Sequence, residues 1–488
     1  MGESGGKALW IGSDSLIMHE KVLLPLLSLV VCVVMAGEAV LTAALPLISN
    51  EFAVPGIFES WILPVVLLVG AAAAPFIGTA GDRYGHRKLL ILCMILYLAG
   101  LLGGLISIDI WSLLFTRALQ GAGIASFPLA YALIRKRLPV HKADTGIGVI
   151  SAMYGAGTLL GVIAGSVLTE AFGWKSTYSV LIPVTIFLIL GIYRYIPESE
   201  HHTFTAVKGP PLDWVGLISL LVTLFLGMAA FSVSDPVTGP GSLTLILLMG
   251  AVIASIVFIR SELTAQIPLA DLRMATKPEV FLLLVIGTVT ILAFLMLLQE
   301  MPFIIESPTG LGLTAGMVGL ILIPGTFGDM IAGPLTGKLI PRWGAGLLCV
   351  IGSVILIIAA VLLLLTGPSI IILVCAWFIF SAGMSTVATA DIIAIIDLVP
   401  KTRTAEATGL VQSVQTIGGM AGPLMAGLLL DRSSIEILRD GVLWTVPTTL
   451  GFTTVHFWAL CAGVVVLICS VLLMRRLTRM DATISDQV

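Results

Sequence analysis

Gly78-Thr79-Ala80-Gly81-Asp82-Arg83-Tyr84-Gly85-His86-Arg87-Lys88 is a polar turn between two apolar runs, and Gly337-Lys338-Leu339-Ile340-Pro341-Arg342-Trp343-Gly344 repeats its frame. Gly, Arg and Gly recur at identical spacing in the two stretches. The apolar runs flanking each turn approach the roughly 20 residues a helix needs to cross a bilayer. A repeat of this kind predicts two related halves. Paired halves are a common build of secondary transporters, with the binding site near the midplane between them.

The rest of the chain fits the same reading. Of 488 residues, 58% are hydrophobic and 11% charged, against about 25% charged in a soluble domain, so lipid must solvate most of the surface. Fourteen apolar spans can be marked: 22–48, 58–78, 88–108, 111–136, 144–170, 174–196, 212–233, 242–260, 279–303, 314–336, 343–366, 368–397, 404–430 and 454–474. The first is too long for a signal-peptide core and reads as a retained helix. The spans divide the chain into a cytoplasmic segment 1–21, a six-helix bundle 22–196, a linker with two inserted helices 197–278, a second six-helix bundle 279–474 and a tail 475–488.

Charge placement tests the count. With both termini cytoplasmic, Lys and Arg should gather on the inner loops. Of the 25 present, only Lys175, Arg432 and Arg439 fall outside, and only Arg117 falls within a span. The net charge of −3 favours no nucleic acid partner. The six cysteines lie in apolar runs and read as small hydrophobes. The scattered histidines give no metal site. Trp61, Trp111 and Trp174 read as outer-face anchors, and Trp214 and Trp343 as inner ones.

The 78–88 turn carries gate chemistry. Gly78 and Gly85 permit a tight turn, and Asp82 can accept hydrogen bonds from a nearby helix N-terminus. Arg83, Arg87 and Lys88 can hold an acidic partner or lipid headgroups. The stretch resembles the signature loop of the major facilitator superfamily. Its Gly, Asp-Arg and Gly scaffold is intact, while Thr79, Ala80, Gly81 and His86 depart from the commonest residues.

Buried ionisable groups mark candidate sites. Arg117 lies roughly 9 Å inside its boundary and Glu38 at similar depth on span 1, so the two are expected to meet. Glu38 reads as a protonatable coupling carboxylate tuned by Arg117, or as half of a structural ion pair. Asp329, near mid-depth in span 10, is the second candidate for a proton or cationic-substrate site. Asp391 falls about 33 Å along its helix and reads as interfacial. Glu300 and Gln299 close span 9 and, with Gln412 and Gln415 of span 13, are assigned to the substrate cavity.

Arg117-Ala118-Leu119-Gln120-Gly121-Ala122-Gly123 is similar to the superfamily's second motif, which implies a role for Arg117 in proton coupling. The Ala44-Leu45-Pro46 ending of span 1 looks like the 14-helix drug:proton antiporters (EmrB/QacA-like). That group usually has Asp where Gly37 stands here, with Glu38 adjacent. Asp213-Trp214-Val215-Gly216, Arg260-Ser261-Glu262, Pro268-Leu269 and Gly319 to Pro324 extend the resemblance. Gly157, Gly161 and Gly165 form a packing stripe similar to the antiporter motif, with Val162 and Ser166 replacing its Pro and second Gly. Span 13 keeps Gly418-Gly419 and Gly422-Pro423.

The resemblance implies an all-α polytopic fold of two six-helix bundles plus two inserted helices, in the cell (plasma or inner) membrane. It implies a monomer exporting amphipathic or cationic small molecules against protons, with the proton gradient as its energy source and no cofactor. A symporter or uniporter for one metabolite is the alternative. No nucleotide loop or catalytic arrangement is present in the sequence, so an enzyme is not expected. A channel should carry charge rings or a carbonyl filter, and a sensor a soluble output domain; neither pattern occurs.

Overall fold

The computed structural model describes residues 5–44, 48, 51–52, 61–197, 213–233, 241–265, 272–313, 316–366, 369–439 and 442–485. Parts of the span-1 ending (Leu45, Pro46), Pro268-Leu269 and most of the 197–212 linker lie outside this set.

Helices dominate. The first lobe holds α1 (Gly5–Ala39), α2 (Pro64–Tyr84), α3 (His86–Leu105), α4 (Ile110–Ile124), α5 (Phe127–Arg137), α6 (Val140–Phe172) and α7 (Ser176–Tyr195). Two further helices follow, α8 (Trp214–Ser232) and α9 (Ser242–Thr264). The second lobe holds α10 (Pro278–Glu306), α11 (Gly316–Trp343), α12 (Ala345–Thr366), α13 (Ile370–Leu398), α14 (Thr404–Asp431) and α15 (Thr449–Ser485). Among the described residues, twelve helices are long and apolar enough to cross a membrane. Outward-facing Phe115, Phe187, Ile246, Ile358 and Ile468 give these rods an apolar exterior, as lipid contact requires.

The sequence repeat has a backbone counterpart. Gly85 and Gly344 end α2 and α11 with φ of +104° and +76°, a region costly for any residue with a Cβ. The two turns are therefore the same device used twice. Gly78 and Gly337 also match: a Cβ on Gly78 would stand 2.3 Å from the Ala405 carbonyl oxygen at the start of α14, and one on Gly337 would stand 2.3 Å from the Asp144 carbonyl oxygen at the start of α6. Each half thus lays the helix that leads into its repeat turn against the start of a helix in the other half.

Two expectations need correction, and one element was not foreseen. Span 1 was expected to run to 48, but α1 stops at Ala39 and a 3-10 turn, Thr42–Ala44, follows. Span 4 is broken between Ile124 and Phe127, because Pro128 has no N–H to offer the Ile124 carbonyl. Before α15, the polar stretch contains a two-stranded antiparallel hairpin, β1 (Ser434–Arg439) and β2 (Val442–Pro447). Its sequence signal, Asp440-Gly441 between short β-rich runs, lies outside the described residues.

At the opposite end from the repeat turns, Asp109 caps α4. The Ser112 amide donates to its carboxylate, and the Ser112 side chain adds to the cap. These bonds hold the Asp109 carboxyl below the usual carboxylate range. Trp174, read as an interfacial anchor, is instead buried and donates to Glu51 Oε2 at 2.6 Å.

This pair docks on the first lobe through α8. Trp61 packs on Phe225 and Phe76 on Trp214, with ring centroids 5.0 and 4.6 Å apart, and Leu68, Ala71 and Ala72 of α2 meet Leu220 and Leu224 of α8. The motifs around 213 and 261 belong together. Asp213 accepts from the Gly216 amide at 2.8 Å and from Ser261 Oγ at 2.7 Å, so one carboxylate caps α8 and ties it to α9.

Candidate functional site

Arg117 is fully buried in the first lobe, and its surroundings explain where α1 ends. Its Nη1 donates to the Gly37 carbonyl (2.8 Å) and to Gln120 Oε1 (2.9 Å). Nη2 donates to the Glu38 carbonyl (2.7 Å), and Nε to the Ile62 carbonyl (3.0 Å). Gly37 and Glu38 are in the last turn of α1, where carbonyls have no intrahelical partner. The guanidinium fork thus satisfies the end of α1 and favours its negative pole. Sequence depth placed Arg117 and Glu38 together, and they are together. The link, however, runs through the Glu38 main chain, and no Arg117 hydrogen bond goes to the Glu38 carboxylate among the described residues. That carboxylate is half-buried and within electrostatic range of Arg117, Tyr97 and Tyr154.

Gly37 is sealed in by Tyr97, whose hydroxyl donates to the Val33 carbonyl (3.2 Å). A Cβ at position 37 would stand 1.9 Å from that hydroxyl. The space an acid at position 37 would need is filled by the phenol.

Gly157, Gly161 and Gly165 lie where the stripe predicts. Built Cβ atoms there would stand 2.4, 2.3 and 2.0 Å from the carbonyl oxygens of Cys32, Ala36 and Val40, so α6 lies directly on the backbone of α1. The sequence reading missed a second face of α6. Gly148 meets the Gly333 carbonyl, and a Cβ on Gly155 would stand 2.2 Å from Asp329 Oδ2. Asp329, 8% exposed, therefore reaches across the lobe boundary into a notch that only glycine leaves open.

The substantial interlobe packing joins α2, α5 and α6 to α11, α13 and α14, and its polar contacts gather at the end that carries the repeat turns. Asp82 Oδ2 accepts from the Glu406 amide at the N-terminus of α14 (3.1 Å). Its Oδ1 is 2.9 Å from His86 Nε2 and 3.3 Å from Lys136 Nζ. The 83–88 and 135–142 turns thus share one end of the molecule. Arg135 pairs with Asp397 across the boundary, with Asp144 at 3.9 Å. Arg87 donates to the Tyr193 carbonyl at the end of α7 (2.6 Å), and Arg83 lies over the Tyr84 ring.

Two further contacts come from prolines. Pro75 and Pro128 cannot bond to the carbonyls four residues earlier, Ala71 and Ile124. Both carbonyls are taken by α14: Ser413 Oγ donates to Ala71 at 2.5 Å and Gln412 Nε2 to Ile124 at 3.4 Å. Gln412 is therefore an interlobe bridge.

The other cavity candidates separate. Gln299 is exposed. Glu300 is fully buried inside the second lobe, 3.0 Å from His456 Nε2 on α15, which places it in lobe packing rather than on a cavity wall. Gln415 is half-buried and donates to Asp391 Oδ2 at 3.1 Å. Asp391, expected at an interface, is fully buried.

The latch at Asp82 gives a measurable consequence. Asp82→Asn keeps an acceptor but removes the charge facing the α14 dipole. The loss is about 1–2 kcal/mol, hence roughly five- to thirty-fold in the closed-to-open ratio. A cysteine replacing Thr145, which lies beside Gly337 on the seam, should be alkylated by a water-soluble maleimide faster by that factor.

The Major Facilitator Superfamily family model matches residues 27–423 and, again, 283–485. The chain is 27% identical over 431 residues to the methyl viologen resistance protein of Salmonella typhimurium, covering 85% of this chain and 83% of that one. It is 25% identical over 430 residues to a multidrug efflux pump of Mycolicibacterium smegmatis, covering 85% and 82%. Among solved structures, the human organic anion transporter MFSD10 superposes with a TM-score of 0.61 at 15% identity, over 92% of this chain and 99% of that one.

Proposed function

The chain belongs to the Major Facilitator Superfamily, and from that premise we propose that it exports amphipathic or cationic small molecules in exchange for protons by alternating access. It is a multi-pass membrane transporter with named drug-efflux and resistance proteins among its relatives. The fourteen-crossing reading takes the twelve long helices, the broken α4–α5 rod and the 19-residue α8. Both termini are read as cytoplasmic, because Lys and Arg gather at the end of the repeat turns. The closed seam then faces the cytoplasm, and the described conformation is the outward-facing one of a monomer in the cell membrane.

One observation carries the exchange reading: a half-buried Glu38 carboxylate stands beside an Arg117 whose hydrogen bonds are committed to carbonyls. Such an acid is free to take up a proton without dismantling the end of α1. When ionised, it offers a negative charge to a cation. Proton and cation would then compete for one group, which is the minimum that antiport requires. Asp329, inserted across the lobe boundary, is the second such acid.

Proteoliposomes loaded with methyl viologen test this. Efflux should accelerate when a pH gradient, acid outside the face that releases the probe, is imposed. Glu38→Gln, a neutral stand-in for the protonated acid, should bind the probe more weakly and lose at least about tenfold of the gradient-driven rate, the effect of shifting one coupled equilibrium by 1.4 kcal/mol. A Glu38→Gln variant that still responds fully to the gradient would remove Glu38 from the cycle.

A further inference from the structure

Asp391 is buried in the second lobe and is used by nothing described so far. Its Oδ2 accepts from Gln415 Nε2, while its Oδ1 has no hydrogen-bond partner. Gly287 of α10 makes room for the pair: a Cβ there would stand 2.2 Å from Gln415 Nε2 and 2.7 Å from Asp391 Oδ2. Among the described residues, no Lys, Arg or His forms a salt bridge with this carboxyl. The groups facing it are Gly287 from α10, the buried Cys349 thiol from α12 and Gln415 from α14. Asp329 of α11 lies by Ser385, and Arg135 and Asp144 of the first lobe gather at Asp397. Ser385 and Asp397 stand six residues before and after Asp391 on α13.

A buried carboxylate without a cation is costly, and such a group relieves that cost by taking a proton. Gln415 is the side chain suited to both states. Its amide NH2 donates to a carboxylate, and its carbonyl accepts from a carboxylic acid, the two being related by a half-turn of the amide. Gln415 is half-buried and follows Gln412 by three residues and Ser413 by two, the residues of α14 that hold the first lobe.

We propose that Asp391 is a proton-binding site of the second lobe, and that Gln415 reports its state by inverting its amide toward the interlobe cleft. With Asp391 ionised, Gln415 donates Nε2–H to Oδ2, the bond the structure holds, and its carbonyl oxygen is left to favour a cation. With a proton on Asp391, the amide reverses and presents N–H donors, which disfavour a cation. The pair therefore makes cation binding and proton binding in the second lobe mutually exclusive. This rests on the exchange reading given above and adds a further proton-binding site to it.

The test has two arms on the full-length protein. Infrared pH-difference spectra of the purified transporter, without substrate, should show the carbonyl stretch of a buried carboxylic acid that Asp391→Asn lacks. Gln415→Leu should keep that band but displace its pH midpoint. Identical spectra from wild type and Asp391→Asn would overturn the proposal, and an unmoved midpoint in Gln415→Leu would overturn the role of the amide. In the second arm, methyl viologen binding is measured against pH. One competing proton weakens apparent affinity by up to about tenfold per pH unit, so Asp391→Asn should flatten the wild-type dependence by that much. An unchanged slope contradicts a proton on Asp391 that competes with the cation. If wild type binds no methyl viologen, the exchange reading fails for this probe and the infrared arm still decides the site.

Discussion

Gly148→Val is expected to abolish transport while leaving a folded, membrane-inserted protein. A Cβ at 148 would stand 2.2 Å from the Gly333 carbonyl oxygen and 2.7 Å from its carbon, both main-chain atoms of a helix in the other lobe. A flexible side chain could move aside; a helix backbone cannot. The residue faces the seam, so the clash falls on the closed arrangement of the lobes and not on the packing of either one. Overpacking of this kind costs about 1–3 kcal/mol or more, enough to reduce the closed state roughly five- to 150-fold. Gly319→Val on α11, which meets nothing within 4 Å, is the matched control and should transport normally. Thermal unfolding in detergent should separate the two explanations: a melting temperature near wild type with lost transport supports a blocked seam, whereas a collapsed one means the lobe itself has failed.

Arg117 and Glu38 should separate just as clearly. Arg117→Met leaves the carbonyls of Gly37, Glu38 and Ile62 and the Gln120 amide oxygen without their donor. Each buried acceptor so orphaned costs about 1–3 kcal/mol, so this variant should be strongly destabilised. Arg117→Lys should rescue little, because an ammonium on a flexible stem does not reproduce the fork. Glu38→Gln should leave the melting temperature nearly unchanged, since the carboxylate receives none of the Arg117 bonds. An ordinary ion pair behaves otherwise, because removing either partner strands a buried charge at about 3–5 kcal/mol. Equal losses of stability in the Glu38 and Arg117 variants would return the site to that simpler description.

The sequence made some of this visible and hid the rest for identifiable reasons. The all-helical, membrane-crossing character comes from apolar length, and the matching turns at Gly85 and Gly344 from the Gly-Arg-Gly repeat, which are local and periodic signals. The meeting of Arg117 with the end of α1 followed from depth alone, because both positions are fixed by the distance to a boundary. Which atoms meet did not follow, since an Arg can reach a carbonyl as readily as a carboxylate. Gly157, Gly161 and Gly165 announced a packing face through their spacing. Gly148 and Gly155, seven residues apart on another face of α6, gave no such signal until Gly333 and Asp329 were placed opposite them.

Asp391 was misplaced because distance along a helix was taken as distance toward water. Lateral burial by α10, α12 and α14 decides its environment, and no one-dimensional reading contains it. The same limit applies to Glu300 and His456, which are 156 positions apart in the chain and 3.0 Å apart in the fold. The prolines are an intermediate case. Pro75 and Pro128 identify by rule the carbonyls they leave free, Ala71 and Ile124, but that Ser413 and Gln412 supply the donors is a tertiary fact.

The account rests on two lobes that close at one end while they open at the other. Spin labels at Lys142 and Lys338, exposed at the seam end of the first and second lobes, and in a second sample at Ile108 and Leu450, exposed at the opposite end, measure this by pulsed electron double resonance. On moving from alkaline to acid pH with and without methyl viologen, the two distance distributions should shift in opposite directions. Distributions that stay fixed under every condition, or that lengthen together, would contradict the rocking of two lobes about a central site.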